Sequence, residues 1–241
     1  MLRNWERPLS TSTPSCGKLS VKIFRQVLLY SFLCMEEPRV LILGHSFIRR
    51  LRDFIIKNSP TYNLNLNLNT SVTIHWHGVG GRTIDKVRRF DLTGVERFKP
   101  DVVFLQIGTN DLTRRRSSPA SVGSAIEDLV CLLHHEYGVR LVCVGQTVKR
   151  RSVGTFNANV QVLAQYLQGV LEPLPFAIYW THRGFLRASC SCLSYDGVHL
   201  NNEGQHKLYR SIREGSNYAL FKTPNTIRNF SPNQFYFLAS S

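Results

Sequence analysis

Ser46 follows Gly44-His45 and precedes Phe47-Ile48, where the short aliphatic run 39–43 gives way to a helical pattern. A hydroxyl at such a handover is exposed, and the N–H groups of a helix N-terminus favour negative charge that develops beside it. A serine there also serves as an ordinary helix N-cap, which is the commoner role. Asp196 and His199 stand three apart in Asp196-Gly197-Val198-His199-Leu200. A tight turn lets the carboxylate bind one imidazole nitrogen and leaves the other free. That supplies the base and the orienter that a weak hydroxyl nucleophile needs. The same spacing also fits a turn leading into a helix, with a hydrogen-bonded histidine. Asn110, in Gly108-Thr109-Asn110-Asp111, offers a side-chain N–H₂, and Gly81, in Gly80-Gly81-Arg82-Thr83, offers a backbone N–H that no side chain shields. With the Ser46 N–H these make a three-donor oxyanion hole. As plain loop residues they serve turn geometry and capping.

Such residues need a scaffold that brings 46, 81, 110 and 196–199 to one edge. The run 39–43 reads as a strand, and Phe47, Ile48, Leu51, Phe54 and Ile55 then recur at helical spacing. Residues 63–69 alternate Asn and Leu, which fits an exposed strand or the approach to one. Further strands are expected over 72–76, 101–107, 139–144 and 176–180, with helices over 83–90, 118–137, 157–171 and 202–213. The run 101–107 is nearly all apolar, as a central parallel strand buried on both faces must be. Pro119 opens one helix and Gly138 stops it, and Asn202 is placed to cap the last. Strands alternating with helices imply an α/β fold built as a three-layer αβα sandwich on a five-stranded, mainly parallel sheet. In such sheets the ligand site lies at the carboxyl ends of the strands, where all four loops fall.

The chain has 241 residues, with 30 Lys and Arg against 16 Asp and Glu, a formal charge of +14. Apolar residues make up 43%, enough for a substantial core and too many for a largely disordered chain. The excess charge sits in the folded region: residues 38–213 hold 23 basic and 12 acidic side chains, a net +11. Residues 1–37 read as a poorly ordered extension and 214–241 as a tail, docked if at all by Phe230, Phe235 and Phe237. Basic clusters occur at Arg49-Arg50, Arg88-Arg89, Arg114-Arg115-Arg116 and Lys149-Arg150-Arg151. The last two follow strand ends and could rim the site, holding an anionic substrate or the phosphate backbone of RNA or DNA. A well-solvated surface explains them equally.

Six cysteines, Cys16, Cys34, Cys131, Cys143, Cys190 and Cys192, show no CxxC pairing, which argues against a disulfide scaffold and fits a reducing, intracellular compartment. Cys190 and Cys192 with His182, and His75 with His77, are weak metal sets, so no metal or cofactor is expected. His134 and His135 near a helix C-terminus need no further role. The apolar run 27–34 is preceded by basic residues but followed by no small-residue cleavage pattern. Met35 is then a candidate start. No apolar run reaches the ~18 residues that span a membrane.

The four loops Gly44-His45-Ser46, Gly80-Gly81-Arg82-Thr83, Gly108-Thr109-Asn110-Asp111 and Asp196-Gly197-Val198-His199-Leu200 resemble, in order, the sequence blocks of the SGNH, or GDSL-like, hydrolases. The resemblance spans about residues 39–213 and implies a flavodoxin-like sheet and a serine esterase or acylhydrolase acting on a small ester. It implies Ser46 as nucleophile, Asp196 and His199 as its partners, and Gly81 and Asn110 as oxyanion donors. The family usually places Asp where this chain has His45. Ile48 stands where a G-x-S-x-G elbow needs glycine, which argues against the α/β-hydrolase fold proper. The pattern is also similar to esterase domains in first-reading-frame proteins of some non-LTR retrotransposons. SGNH-like modules that bind nucleic acid without hydrolysis form the alternative.

Overall fold

The computed structural model describes residues 37–223, apart from 70, 152–153 and 186–190. The run 27–34, Met35, Cys16, Cys34, Cys190 and the phenylalanines of the tail lie outside the described residues. The elements in order are β1 (Arg39–Gly44), α1 (Ser46–Lys57), β2 (Thr73–Gly78), α2 (Ile84–Phe90), α3 (Leu92–Phe98), β3 (Val102–Gln106), α4 (Pro119–His135), β4 (Leu141–Gly145), α5 (Gly154–Leu171), β5 (Ala177–Trp180) and α6 (Asn202–Lys222). The strands form one sheet in the order β2-β1-β3-β4-β5, and every neighbouring pair is parallel.

Side chains leave a strand on alternate faces, and each face here is covered by helices. Leu41, Leu43, Val103, Leu105, Val142 and Val144 point to one side, where α2 to α5 supply Val87, Val95, Ile126, Leu129, Leu163 and Leu167. Val40, Ile42, Val102, Phe104, Leu141 and Cys143 point to the other, against Ile48, Leu51 and Ile55 of α1 and Leu208, Tyr209 and Ile212 of α6. This is the three-layer αβα sandwich. The order reverses at β1, whose neighbours are β2 and β3, so the chain leaves β1 and β3 toward opposite faces. In open α/β sheets such a reversal is where ligands bind, outside the carboxyl ends of the strands.

Four expectations differ from the structure. Residues 63–69 form turns rather than a strand, with Leu66 and Asn67 at positive φ. The Asn63 carboxamide accepts the Asn67 N–H at 2.9 Å, an Asn-driven turn that buries Leu66 fully. The last helix runs on to Lys222, beyond the expected end at 213. Its Gly215, Ser216 and Ala219 are small and buried, so the helix keeps packing on the sheet where the sequence looks like a stop. Its N-cap is Asn201, whose side chain accepts the Gly204 N–H at 3.0 Å, not Asn202. Cys192 is disulfide-bonded, which the cysteine spacing did not foretell, while Cys131 and Cys143 are free.

Candidate active site

The loop after β1 is held from beneath and from ahead. The His45 N–H donates to the Gln106 carbonyl at the end of β3, at 3.2 Å. His45 is the N-cap of α1: its Nδ1 accepts the Phe47 N–H at 3.3 Å and its carbonyl accepts Ile48 at 3.1 Å. Ser46 is therefore the first helical residue and not the cap. The N–H groups of Phe47, Ile48 and Arg49 are all taken by His45, whereas that of Ser46 is not. His45 is 1% exposed. Burial first, then the charges of Arg150 and His199, hold its pKa down to about 3. A neutral imidazole thus caps the helix where the family usually has a carboxylate. The cap bond at Nδ1 leaves the proton on Nε2, which is buried without a partner.

Ser46 Oγ lies 3.4 Å from His199 Nε2, and His199 Nδ1 lies 2.7 Å from Asp196 Oδ2. The other Asp196 oxygen accepts the Val198 and His199 N–H groups, each at 2.9 Å. The His199 side-chain bond, followed by these backbone bonds, holds the Asp196 carboxyl well below the usual carboxylate range. The turn at 196–199 is tied down by Ser194 N–H to the His199 carbonyl at 2.7 Å and by Arg151 N–H to the Gly197 carbonyl at 2.8 Å. Phe47 packs beside the His199 ring at 6.3 Å between centroids. The imidazole is thus fixed in direction, with Nδ1 occupied and Nε2 turned to the serine.

The loop after β2 lies against the first turn of α1. A Cβ on Gly78 would come within 2.2 Å of the Arg49 backbone nitrogen, so only glycine lets the two segments meet. Gly81 has φ +67, a conformation that favours glycine, and nothing stands within 4 Å of where its Cβ would be. Asn110 Nδ2 donates to the Arg82 carbonyl at 2.7 Å, using one of its two hydrogens and joining the loops after β2 and β3. Asp111 Oδ1 accepts the Ile84 N–H at 3.1 Å in the same junction, and burial raises its pKa. Arg82 is itself clamped to buried Asp91 through Nε at 2.9 Å and Nη2 at 2.5 Å, and His77 Nε2 meets the same carboxylate at 2.9 Å. Burial pushes Asp91 up, but His77 and Arg82 outweigh it and hold its pKa below the ordinary value. Sequence reasoning did not single out Asp91 or Asp111. Asp111 follows Asn110 directly, which was a usable signal, whereas the approach of Asp91 to Arg82 gives none.

The basic clusters do not occupy one place. Arg115 and Arg116 are exposed. Arg114 donates to Thr83 Oγ1 at 3.3 Å and borders an open groove of about 400 Å³ with Asp85, Arg88, Asp111 and Asp128. Arg151 donates to the Leu193 carbonyl at 3.2 Å, Lys149 is half-buried, and Arg150 lies over Phe156. The histidines of the weak metal sets have other partners. His182 is buried between Ser211 Oγ at 2.7 Å and Gln106 Oε1 at 2.8 Å, His77 is on Asp91, and His75 packs on Phe98. Among the described residues no group of three His, Cys, Asp or Glu side chains is arranged to hold a metal ion. His134 bonds the Val139 carbonyl at 2.8 Å and stacks on Phe176.

Ser46, His199 and the Asn110 loop thus stand at the switch point of a parallel αβα sheet, where such sheets hold their ligands. Comparison with known proteins gives the family. The family of GDSL-like lipases and acylhydrolases matches residues 57–207, and the chain belongs to it. Gly81, Asn110, Asp196 and His199 fall within the match, and Ser46 precedes it. Solved structures share the fold at low identity. A carbohydrate esterase family 3 protein from Talaromyces cellulolyticus aligns with TM-score 0.58 and 16% identity, over 77% of this chain and 99% of that one. An acetylxylan esterase from Geobacillus stearothermophilus aligns with TM-score 0.56 and 14% identity, over 74% and 93%. An alpha/beta hydrolase from the metagenome of Lake Arreo, Spain, aligns with TM-score 0.56 and 15% identity, over 76% and 98%. No curated protein sequence matches the chain. The protein is an ester-cleaving serine hydrolase by family. Among the described residues no helix is long and apolar enough to cross a membrane.

Proposed function

We propose that the protein hydrolyses carboxylic esters of short acyl chain through a Ser46–His199–Asp196 triad and an acyl-enzyme. The observation that carries this reading is the continuous path from Asp196 Oδ2 through His199 to Ser46 Oγ, with contacts of 2.7 and 3.4 Å. His199 Nε2 takes the Ser46 proton as Oγ adds to the ester carbonyl. Asp196 stabilises the imidazolium and keeps Nε2 aimed at the reacting atoms. The carbonyl oxygen gains negative charge, which the Ser46 and Gly81 N–H groups and the second Asn110 amide hydrogen accommodate. The tetrahedral adduct collapses, and His199 gives its proton to the departing alcohol. Water then loses a proton to His199 as it attacks the acyl group. The acid leaves, and Ser46 regains its proton. The name of the acetylxylan esterase supports a small acyl group such as acetyl. Hydrolysis of 4-nitrophenyl acetate by wild type and Ser46→Ala tests the reading, together with fluorophosphonate labelling located by peptide mass spectrometry. Label on any residue other than Ser46, or undiminished turnover in the variant, overturns it.

A second reading adds nucleic acid as a partner. Arg50, Arg52, Arg115 and Arg116 are exposed on a domain with a large basic excess. The likeness of Gly44-His45-Ser46-Phe47 and Asp196-to-Asn201 to retrotransposon esterase domains supports the same setting. Its test is RNA affinity between 50 and 200 mM salt. A steep decline that persists in Ser46→Ala supports it, and binding no tighter than that of a neutral protein removes it.

A further inference from the structure

Arg150 is held differently from the cations of the domain that carry an acidic partner. Arg82 is paired with Asp91, Arg89 with Asp85, and Lys207 with Glu203. Among the described residues, Arg150 has no carboxylate within ion-pair distance. Its guanidinium stacks over Phe156 at 4.2 Å, and among the described residues its single side-chain hydrogen bond is a long one, 3.5 Å from Nη2 to the Thr109 carbonyl. Its Nε is buried without a partner. Burial strips water from a cation without supplying a counter-charge, which is unfavourable unless a ligand supplies one. The position is also fixed in advance. The Asn157 carboxamide grips the Arg150 backbone from both sides, accepting its N–H at 2.8 Å and donating to its carbonyl at 2.7 Å. The next residue is tied to the triad turn through the Arg151 N–H to Gly197 carbonyl bond at 2.8 Å. Two neighbours locate the guanidinium at the site. Thr109 directly precedes Asn110, and the Arg150 charge opposes protonation of His45, which directly precedes Ser46.

We propose that Arg150 is a specificity residue that receives an anionic group of the ester, a carboxylate or phosphate carried on either the acyl or the alcohol side. A planar fork with free donors, set beside the oxyanion loop, suits such a group better than a neutral sugar or an alkyl chain. The inference rests on the Ser46 hydrolase reading and deepens it by naming the substrate class. It also separates the basic residues near the site: Arg115 and Arg116 face water, Arg114 borders a groove with Asp111, and Arg150 faces no acid among the described residues.

The test uses the full chain and three esters of similar leaving ability: phenyl acetate, 4-acetoxybenzoate with its charge on the alcohol side, and monophenyl succinate with its charge on the acyl side. For one of the charged esters the expected kcat/KM at low salt exceeds that of phenyl acetate by about tenfold, the scale of one charge-assisted hydrogen bond. In Arg150→Met, which keeps an apolar chain over Phe156, that ratio falls to about one, and in Arg150→Lys it is intermediate. Whichever charged ester shows the preference identifies the side on which the anion sits. A wild-type ratio at or below one for both charged esters overturns the proposal, and needs no variant to fold. A ratio unchanged in Arg150→Met and Arg150→Lys overturns it too, since a merely structural role lowers all three substrates alike. Phenyl acetate turnover lost in Ser46→Ala beside a flat charge ratio removes Arg150 alone, whereas turnover that survives Ser46→Ala removes the underlying hydrolase reading.

Discussion

Among the described residues there are two serine–histidine pairs, and the one with the shorter contact is the less suited to catalysis. Ser211 Oγ lies 2.7 Å from His182 Nδ1, against 3.4 Å from Ser46 Oγ to His199 Nε2. Ser211 also accepts the Trp180 indole N–H at 3.0 Å, and His182 Nε2 donates to Gln106 Oε1 at 2.8 Å. Gln106 in turn donates to the Gln146 carbonyl at 3.0 Å. Every polar atom in that chain is satisfied, His182 is 0% exposed, and burial lowers its pKa to about 3. No carboxylate orients it, and nothing can reach it. The Ser46 pair has the opposite environment: its imidazole is backed by Asp196, and it lies where the loops after several strands meet. A hydrogen bond between the right residue types does not make a nucleophile. An ionised orienter, access for substrate and uncommitted donors nearby do.

The contrast is sharpest in turnover. Ser46→Ala is expected to lower kcat on 4-nitrophenyl acetate by on the order of 10⁶, while Ser211→Ala stays within about twofold of wild type. A large loss in both would erase the distinction. Asp196→Asn should cost about 10⁴ in kcat, because the imidazole loses its orienting acceptor and the stabilisation of its charged form. Asn110→Ala should cost on the order of 10²–10³ in kcat with little change in KM, since that donor acts on charge present only in the transition state. A loss confined to KM would instead place Asn110 in ground-state binding. In stability the ranking reverses. Ser211→Ala leaves Trp180 and His182 without a buried partner and should cost about 1–3 kcal/mol in urea unfolding, more than Ser46→Ala, whose hydroxyl is half-exposed.

Acid should act on the buried imidazoles in one direction. His45 and His182 stay neutral in the folded protein down to about pH 3. In the unfolded chain they take up protons near pH 6.5. Between those values the unfolded state binds more protons, so stability falls as pH drops from about 6.5 toward 3. The depressed Asp196 carboxyl adds a loss below the ordinary carboxylate range. Urea midpoints at pH 7.5 and 4.5 measure this. His182→Gln should shrink the difference between them by about half, because one of the two buried histidines no longer contributes.

Much of the candidate site's geometry, the approach of Asp196 to His199 above all, was legible because its parts are local. The turn at 196–199 needs only its own residues to aim a carboxylate at an imidazole, and the loops after β1, β2 and β3 announce themselves by glycine. What was misread depends on packing or on distant partners. The Asn–Leu alternation of 63–69 has the period of a strand, yet Asn63 bonds the backbone four residues on and makes a turn. Gly215-Ser216 looks like a helix stop and is instead a small-residue face against Phe104 and Trp180. The cap of α1 fell to His45, because a buried neutral imidazole can accept an N–H as an aspartate would.

The sequence by itself determined the strand–helix alternation, the apolar central strands and the chemical types offered at each loop. Periodicity and turn chemistry act over a few residues, so they can be read in one dimension. Only the tertiary structure decided which serine meets which histidine, that Arg82 and Asp91 brace the Asn110 loop, and that half-buried Arg150 stacks on Phe156 with its Nε unpartnered. Those outcomes depend on strand order and on what each side chain loses in leaving water, and neither is written in the spacing of residues along the chain.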